Sequence, residues 1–506
     1  MVHSAIEIER AERSESLSLH SLLLRGSTTL GVAVALERSF SFLASLLAAR
    51  IGGPQTFGAY AVVLATAGTI AAYAGAGIGT TANRFSGQYT REKPGYRGFL
   101  RALILITLLS ATVGAVLMFA AAGPLARWML RNDSLTKVLK IAALSSAMLV
   151  VLECCRGLLI GQHNFRALFV LSLLSGLGLL LVLPLAARIS PAAMILGQGS
   201  VAFVTVLACV VFSRKLGLTP LPSEYRDESG PGLRPVFVFG LVQFSSVAGI
   251  NIASWWIASL IARSDVLLIQ MGLYAVGNQF RGLVSMVPGL FAQVGYSLLA
   301  DESGEAYGGA NRVMVTNAFA TTSLTMMIGG FAIIFAPQLL FFAYGKSYVT
   351  GETVVVTLLA TAIIHMSGMP AAHRLSVVAL RSAGIINAFW AIIILLLGIL
   401  LVPTHGANGA ALAFIVAHAV ANIMVLLCLA SSNEMPHAYF PLFVAALFGG
   451  LALAGLGYLR GSNSSLAFII TVAMLTLWSS LMVTLVYIGR KLGYMPLWIT
   501  KVLPSW

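Results

Sequence analysis

Charge is what this sequence has least of. Only 9% of its 506 residues are Asp, Glu, Lys or Arg, while 58% are apolar; an average soluble domain carries roughly 25% charged residues. So few charges cannot cover the surface of a chain this long against water, which excludes a soluble globular protein. Long polar stretches are scarce as well. Apolar runs near the length needed to cross a bilayer follow one another with short loops between, leaving no room for a separate soluble domain. Cysteine is sparse: Cys154, Cys155, Cys209 and Cys428 all lie in apolar runs without metal-ligand spacing, so neither a disulfide framework nor a bound metal is expected. A GxxxxGK[ST] motif is missing too, so no cofactor is expected, and any work the protein does is expected to draw on an ion gradient. The opening MVHSAIEIERAERSESLSLHSLLLR has mixed charge and no small-residue cleavage site, and does not read as a signal peptide.

What is present is an all-α polytopic membrane protein of about fourteen spans. The apolar runs place them at 28–49, 57–80, 99–121, 137–161, 165–187, 191–212, 235–261, 270–297, 313–336, 353–380, 384–402, 408–430, 439–459 and 465–488. An even number puts both termini on one side. Lys and Arg concentrate in the loops of that side, among them Arg84, Arg97, Arg166 and Arg234, whereas the opposite loops hold few, such as Arg50, Arg127, Arg188 and Arg460. The positive-inside rule therefore predicts a multi-pass membrane protein with both termini cytoplasmic. The net charge of +14 is spread over these loops and does not form a nucleic-acid-binding face.

The loop 213–234, rich in Pro, Gly and charge, divides the chain near its middle. Across it the halves echo each other. ASLLAARIGGPQTFGAYAV (44–62) aligns without gaps on ASLIARSDVLLIQMGLYAV (258–276), and GLGLLLVLP (176–184) resembles LLLGILLVP (395–403). The expected organisation is a cytoplasmic segment 1–27, an N-lobe 28–212, the linker 213–234, a C-lobe 235–432, and an extra span pair with a tail, 433–506. Internal repeats with a site at their interface are the usual build of alternating-access transporters.

The stretch FLASLLAARIGGPQTFGAYAVVLATAGTIAAYAGAGIGTTANRFSGQY resembles the start of Wzx-type polysaccharide flippases, where a short loop with "fGxY" leads into a glycine-rich second span ending in Arg. RGLLIGQHNFRAL (156–168), FFAYGKSY (341–348) and GANGAALAF (406–414) extend the resemblance over most of residues 25–430. It implies membership of the MATE/MOP exporter superfamily, with two six-helix lobes around a cavity. The implied substrate is an undecaprenyl-pyrophosphate-linked oligosaccharide, flipped for exopolysaccharide, capsule or O-antigen assembly alongside a polysaccharide polymerase or export machinery. Lipid II flippases and multidrug MATE exporters share the fold and remain alternatives, as does, more distantly, a membrane polymerase or glycosyltransferase.

Four arginines, Arg38, Arg156, Arg281 and Arg374, fall inside apolar spans, where a cation is costly unless it faces a polar cavity or a partner. With the resemblance they become candidates for holding a pyrophosphate. Arg156 and Arg374, near corresponding ends of their spans, are expected to meet across the cavity. Glu153 and Arg156, three apart on a helix, also read as a local ion pair. Glu37 and Glu153 are the only acids well inside the spans, fewer than a cation exporter would be expected to carry; Asp265 and Asp301 lie near span ends. Glu37, Glu153 and His365 are candidates for coupling. Amide and indole groups of spans seven and eight, Gln243, Asn251, Trp255, Trp256, Asn278 and Gln279, are candidates for sugar contact or for joining helices. His373 and His418 lack ligand spacing and read as packing.

Overall fold

The computed structural model describes residues 2–89, 95–211, 233–300, 309–462 and 464–491, with side chains from Gly31 onward except 242, 243, 245–247, 297, 300 and 464. The side chains of the segment 1–27 and of Gln243, nearly all of the linker 213–234, and Asp301 therefore lie outside the description. Every described element is a helix: α1 (Val2–Gly75), α2 (Ile78–Gln88), α3 (Tyr96–Pro124), α4 (Leu135–Gly161), α5 (Phe165–Ala187), α6 (Pro191–Val211), α7 (Leu233–Ser264), α8 (Ile269–Ala300), α9 (Ala310–Ile334), α10 (Ala336–Tyr344), α11 (Glu352–Val378), α12 (Leu380–Ser431), α13 (Tyr439–Ser462) and α14 (Ala467–Lys491). In hydrocarbon the helix satisfies each backbone polar group within its own segment, which is why a chain this apolar has little other choice.

Among the described residues, ten helices are long and apolar enough to cross a membrane. Two of them, α1 and α12, are pairs of spans joined at a break, at Gly53 (φ 71°) ahead of Pro54 and at Gly406 (φ 55°) after Pro403. Positive φ is natural to glycine, and proline cannot continue the preceding hydrogen-bond ladder. With α7 and α8, of 32 residues each, the bundle has the expected fourteen crossing segments. Three local features differ from the sequence reading. The second span ends at Gly75, and Ala76 (φ 38°) and Gly77 (φ 73°) turn the chain into the separate amphipathic α2. The outer connection after α9 folds into α10 and a 3-10 turn, Lys346–Gly351, because Gly345 (φ 100°) ends the helix after only nine residues. Arg460, expected in a water-exposed loop, is 5% exposed.

α1 through α6 pack on one another, with α1 against α4 and α5 and α4 against α3 and α6. In the second half α11 is central, touching α8, α9, α12 and α13. The last two helices are fixed to this half. Arg460 on α13 donates to Glu352 Oε1 (2.7 Å) and to the carbonyls of Ile334 (2.5 Å) and Ile333 (3.0 Å), the last residues of α9. One guanidinium thereby closes the α9 C-terminus, whose final carbonyls have no partner within the helix. Lower on the same face, the Trp478 indole of α14 donates to the Met326 carbonyl (3.0 Å).

Candidate functional site

The sequence repeat becomes a contact between the halves. Gly58, opening the second limb of α1, lies against the first turn of α8. A β-carbon there would come within 1.9 Å of the Leu268 carbonyl oxygen, and one on Gly272 within 2.1 Å of the Pro54 oxygen. In the repeat register Gly58 pairs with Gly272 and Pro54 with Leu268, so each glycine meets the counterpart of the residue that its own mate meets. That reciprocity is the signature of a two-fold axis passing between the glycines. It also gives the "GxY" of each half a physical reason: only glycine lets two backbones touch here. Around this point the ends of the two halves are tied. Arg50 donates to the carbonyls of Phe342 and Ala343, Tyr348 to the Ala49 carbonyl (3.1 Å), Asn132 to the Val266 carbonyl (3.1 Å).

Inward from the axis run two seams. In one, the second limb of α1 and α2 lie along α7. Trp255 donates its indole N–H to Thr66 Oγ1 (3.1 Å), Tyr73 its hydroxyl to the Ala248 carbonyl (2.9 Å), Gly77 and Gly240 approach backbone to backbone, and Arg84 lies 4.3 Å over the Phe239 ring. In the other, the first limb of α1 meets α8 through an edge contact of Phe42 on Phe280 (6.4 Å). Inward of that ring pair the helices separate. A cavity of about 560 Å³ opens there, lined by Val34, Glu37, Arg38, Ser41 and Phe42 of α1, Gln279, Gly282, Leu283 and Met286 of α8, and residues of α4 and α5 including Arg156.

A second cavity, of about 350 Å³, lies between α7, α8, α11 and both limbs of α12, in the stretch expected to form the C-lobe. Arg281, His365, Asn387, Trp390, His418 and Asn422 contribute to its wall. His418 Nδ1 donates to the Phe414 carbonyl (2.8 Å), the Trp390 indole nitrogen lies 3.3 Å from the same Nδ1, and His365 meets His418 edge to face at 4.8 Å.

The four sequence arginines are thus distributed and do not form one cluster. Arg38 and Arg156 line the first cavity, Arg281 lines the second, and Arg374 lines neither. Their partners differ as sharply. Arg156 is bonded to Glu37 across from α1 and to Glu153 (3.0 Å) on its own helix, the local pair that the spacing predicts. Arg374 is bonded to Glu434 beyond α12 and so does not face Arg156. Arg38 has no ion-pair or hydrogen-bond partner among the described residues, and the contact of Arg281 is the Phe414 face, 5.2 Å from its ring centroid.

Of the amide and indole candidates, Trp255 is engaged in the closed seam, and Gln279 accepts the Tyr344 hydroxyl (2.9 Å) at the rim of the first cavity. Asn278 donates to the Tyr274 carbonyl (3.3 Å), while its Oδ1 and the Trp256 indole are buried without a partner. Asn251, half-buried on α7, lines neither cavity. Sequence reasoning set His418 aside as packing and did not single out Asn387, Trp390 or Asn422. The only signal was two polar residues four apart, His418 and Asn422, in an otherwise apolar limb. Among the described residues no cluster of His, Cys, Asp or Glu is placed to hold a metal ion.

Comparison with known proteins agrees with this architecture. The profile of the family described as polysaccharide biosynthesis protein matches residues 23–298. No curated protein matches the sequence. Among solved structures, the lipid II flippase MurJ in an inward closed conformation superposes with a TM-score of 0.65 at 13% identity, covering 92% of this chain and 99% of that one. An inward-facing multidrug resistance MATE family transporter of the MOP superfamily gives 0.59 at 16% identity, covering 83% and 98%. A MOP superfamily transporter from Pyrococcus furiosus, reported with a binding pocket of reverse polarity, gives 0.57 at 15% identity, covering 81% and 95%.

Proposed function

The chain belongs to the polysaccharide biosynthesis protein family, and from that membership we propose that it is a flippase carrying an undecaprenyl-pyrophosphate-linked oligosaccharide across the bacterial inner membrane for exopolysaccharide, capsule or O-antigen assembly. The observation that carries the reading is Arg38: a cation inside a spanning helix, lining a cavity, with no ion-pair partner among the described residues, the Glu37 carboxylate being bound to Arg156. Such a group is costly in a membrane unless an anion arrives to use it. Beside it Arg156 is held by Glu37 and Glu153. A pyrophosphate entering between them meets one free guanidinium and a second that it can share, and the planar fork suits phosphate oxygens.

The cavity lies where the first limb of α1 parts from α8, so a headgroup entering between them can keep its polyprenyl tail in the bilayer. The bundle end that carries the termini is the cytoplasmic one by loop charge, which makes this entrance inward. The tied outer ends would then have to separate to release the sugar outside, the Gly58–Gly272 contact acting as fulcrum or gate. No covalent step is required of the protein. Arg374, paired with Glu434, would orient the inner end of α11 and leave the pyrophosphate to the first cavity.

A drug exporter that captures cations needs carboxylates free to face them, and the acid lining this cavity, Glu37, is bound to Arg156. Lipid II carries the same pyrophosphate and is separated only by its sugars and peptide. The test is reconstitution in liposomes without nucleotide. A synthetic polyprenyl-pyrophosphate oligosaccharide should cross under an ion gradient and a cationic dye should not. Dye transport without lipid transport would transfer the protein to the drug exporters.

A further inference from the structure

Arg281 has no role in the first cavity. It is a spanning-helix cation facing a separate chamber within the C-lobe, and no carboxylate among the described residues pairs with it. The chamber is built rather than accidental. Phe414 holds the guanidinium by its ring face, Asn422 is oriented by a hydrogen bond to the Ile364 carbonyl (2.7 Å), and the Trp390–His418–His365 contacts fix one wall. Asn387 and Ser254 stand on its open side. A volume of about 350 Å³ is at the small end for ligand sites. Aromatic faces, amides and a hydroxyl are the groups that hold a sugar ring, and an unpaired guanidinium adds the recognition of one negative charge.

We infer that this C-lobe chamber is a binding site for a carboxylate-bearing sugar, such as a uronate, within the oligosaccharide. The inference rests on the flippase reading for its setting, but it assigns a distinct site and narrows the substrate class. Two unpaired arginines in two cavities match a substrate with two separated anionic groups, the pyrophosphate at Arg38 and the sugar acid at Arg281. The orientation of Asn422 and the His418–Trp390 pairing position the wall; Arg281 supplies the charge selection.

The test uses the full-length protein in lipid nanodiscs with three probes: a glucuronate-terminated disaccharide, the matching glucose-terminated disaccharide, and inorganic pyrophosphate, their binding read by calorimetry. The acidic disaccharide should bind about tenfold more tightly than the neutral one, the ordinary worth of one charge-assisted hydrogen bond. Arg281→Met should erase that preference and leave pyrophosphate binding unchanged, and Arg38→Gln should do the reverse. Asn387→Asp, which leaves Arg281 in place and adds a negative charge to the exposed wall, should also erase it, so the test survives if Arg281→Met does not insert. Equal binding of both disaccharides, no binding of the acidic one, or a preference that persists in both C-lobe variants would overturn the inference. Pyrophosphate binding in those cases leaves the flippase reading standing. A glucuronate preference that depends on Arg281 with no pyrophosphate binding would uphold this site and remove the pyrophosphate mechanism instead.

Discussion

The two seams that meet at the Gly58–Gly272 axis are counterparts of each other, yet one is closed along its length and the other opens into a cavity. Extending the repeat register inward pairs Thr66 with Phe280 and Trp255 with Ser41. Where Trp255 and Thr66 share a hydrogen bond, the matching place in the other seam has a phenylalanine near a serine and only an edge contact between Phe42 and Phe280. About two turns further in, Tyr73 reaches the Ala248 carbonyl; its counterpart is Val287, too short to reach across and without a donor. Still further, Gly77 lets two backbones meet, and its counterpart is Phe291. Arg38, the unpaired cation, corresponds to the apolar Ile252. A duplicated architecture has thus been made asymmetric by a few side chains, and on the proposed reading that asymmetry sets where a substrate enters.

The most damaging change should be at the axis itself. Gly58→Val and Gly272→Val each drive a side chain into a backbone oxygen, and both should reduce transport to background and lower the melting temperature, overpacking of this kind costing about 1–3 kcal/mol. The two-fold relation predicts equal losses; a loss at one glycine alone, in transport assays of matched protein amounts, would break the symmetry argument. A smaller but cleaner effect is expected from bridging the seams. Cysteines at 42 and 280 joined by a short bifunctional maleimide should stop transport without changing thermal stability, while the same bridge between 66 and 255 should leave a substantial part. If both bridges are equally inhibitory, entry is not confined to the Arg38 seam.

Tyr73→Phe removes one hydroxyl hydrogen bond at a half-open surface, worth about 1 kcal/mol, and should slightly raise the background leak through the closed seam. Least affected should be transport by Arg460→Leu, because α13 and α14 touch neither seam. That variant should instead lose stability, by about 3–5 kcal/mol for a buried pair broken on one side, with transport per folded molecule unchanged. Calorimetric unfolding and transport normalised to inserted protein separate the two readouts.

Much of the fold was legible because a chain this apolar permits only helices, and because proline, glycine and basic residues punctuate them. The repeat predicted which residues would correspond, and the structure shows them touching. The helix partners were harder to see. Glu37 bonds Arg156, 119 residues away, and spacing along one helix cannot show that; the adjacent Arg38 was the more visible neighbour. The arginines looked alike as charges in apolar runs, and only packing separates those bound by carboxylates, Arg156 and Arg374, from those that are not, Arg38 and Arg281. Arg460 was misplaced because a charge at a span end is usually solvated. Its burial depends on α9 ending beside it, a tertiary fact. The C-lobe chamber was hidden for the same reason: its wall is drawn from four helices, each of which contributes only a few polar residues.

The central claim is that an unpaired positive charge at Arg38 works on an anionic substrate. The most direct measurement is flipping of a polyprenyl-pyrophosphate oligosaccharide in liposomes by Arg38→Ala and Arg38→Lys, at equal amounts of inserted protein. The account predicts loss in the first and partial activity in the second, since lysine keeps the charge but not the bidentate fork. Full flipping by a well-inserted Arg38→Ala protein, or by the double variant Arg38→Ala, Arg281→Ala, would contradict it.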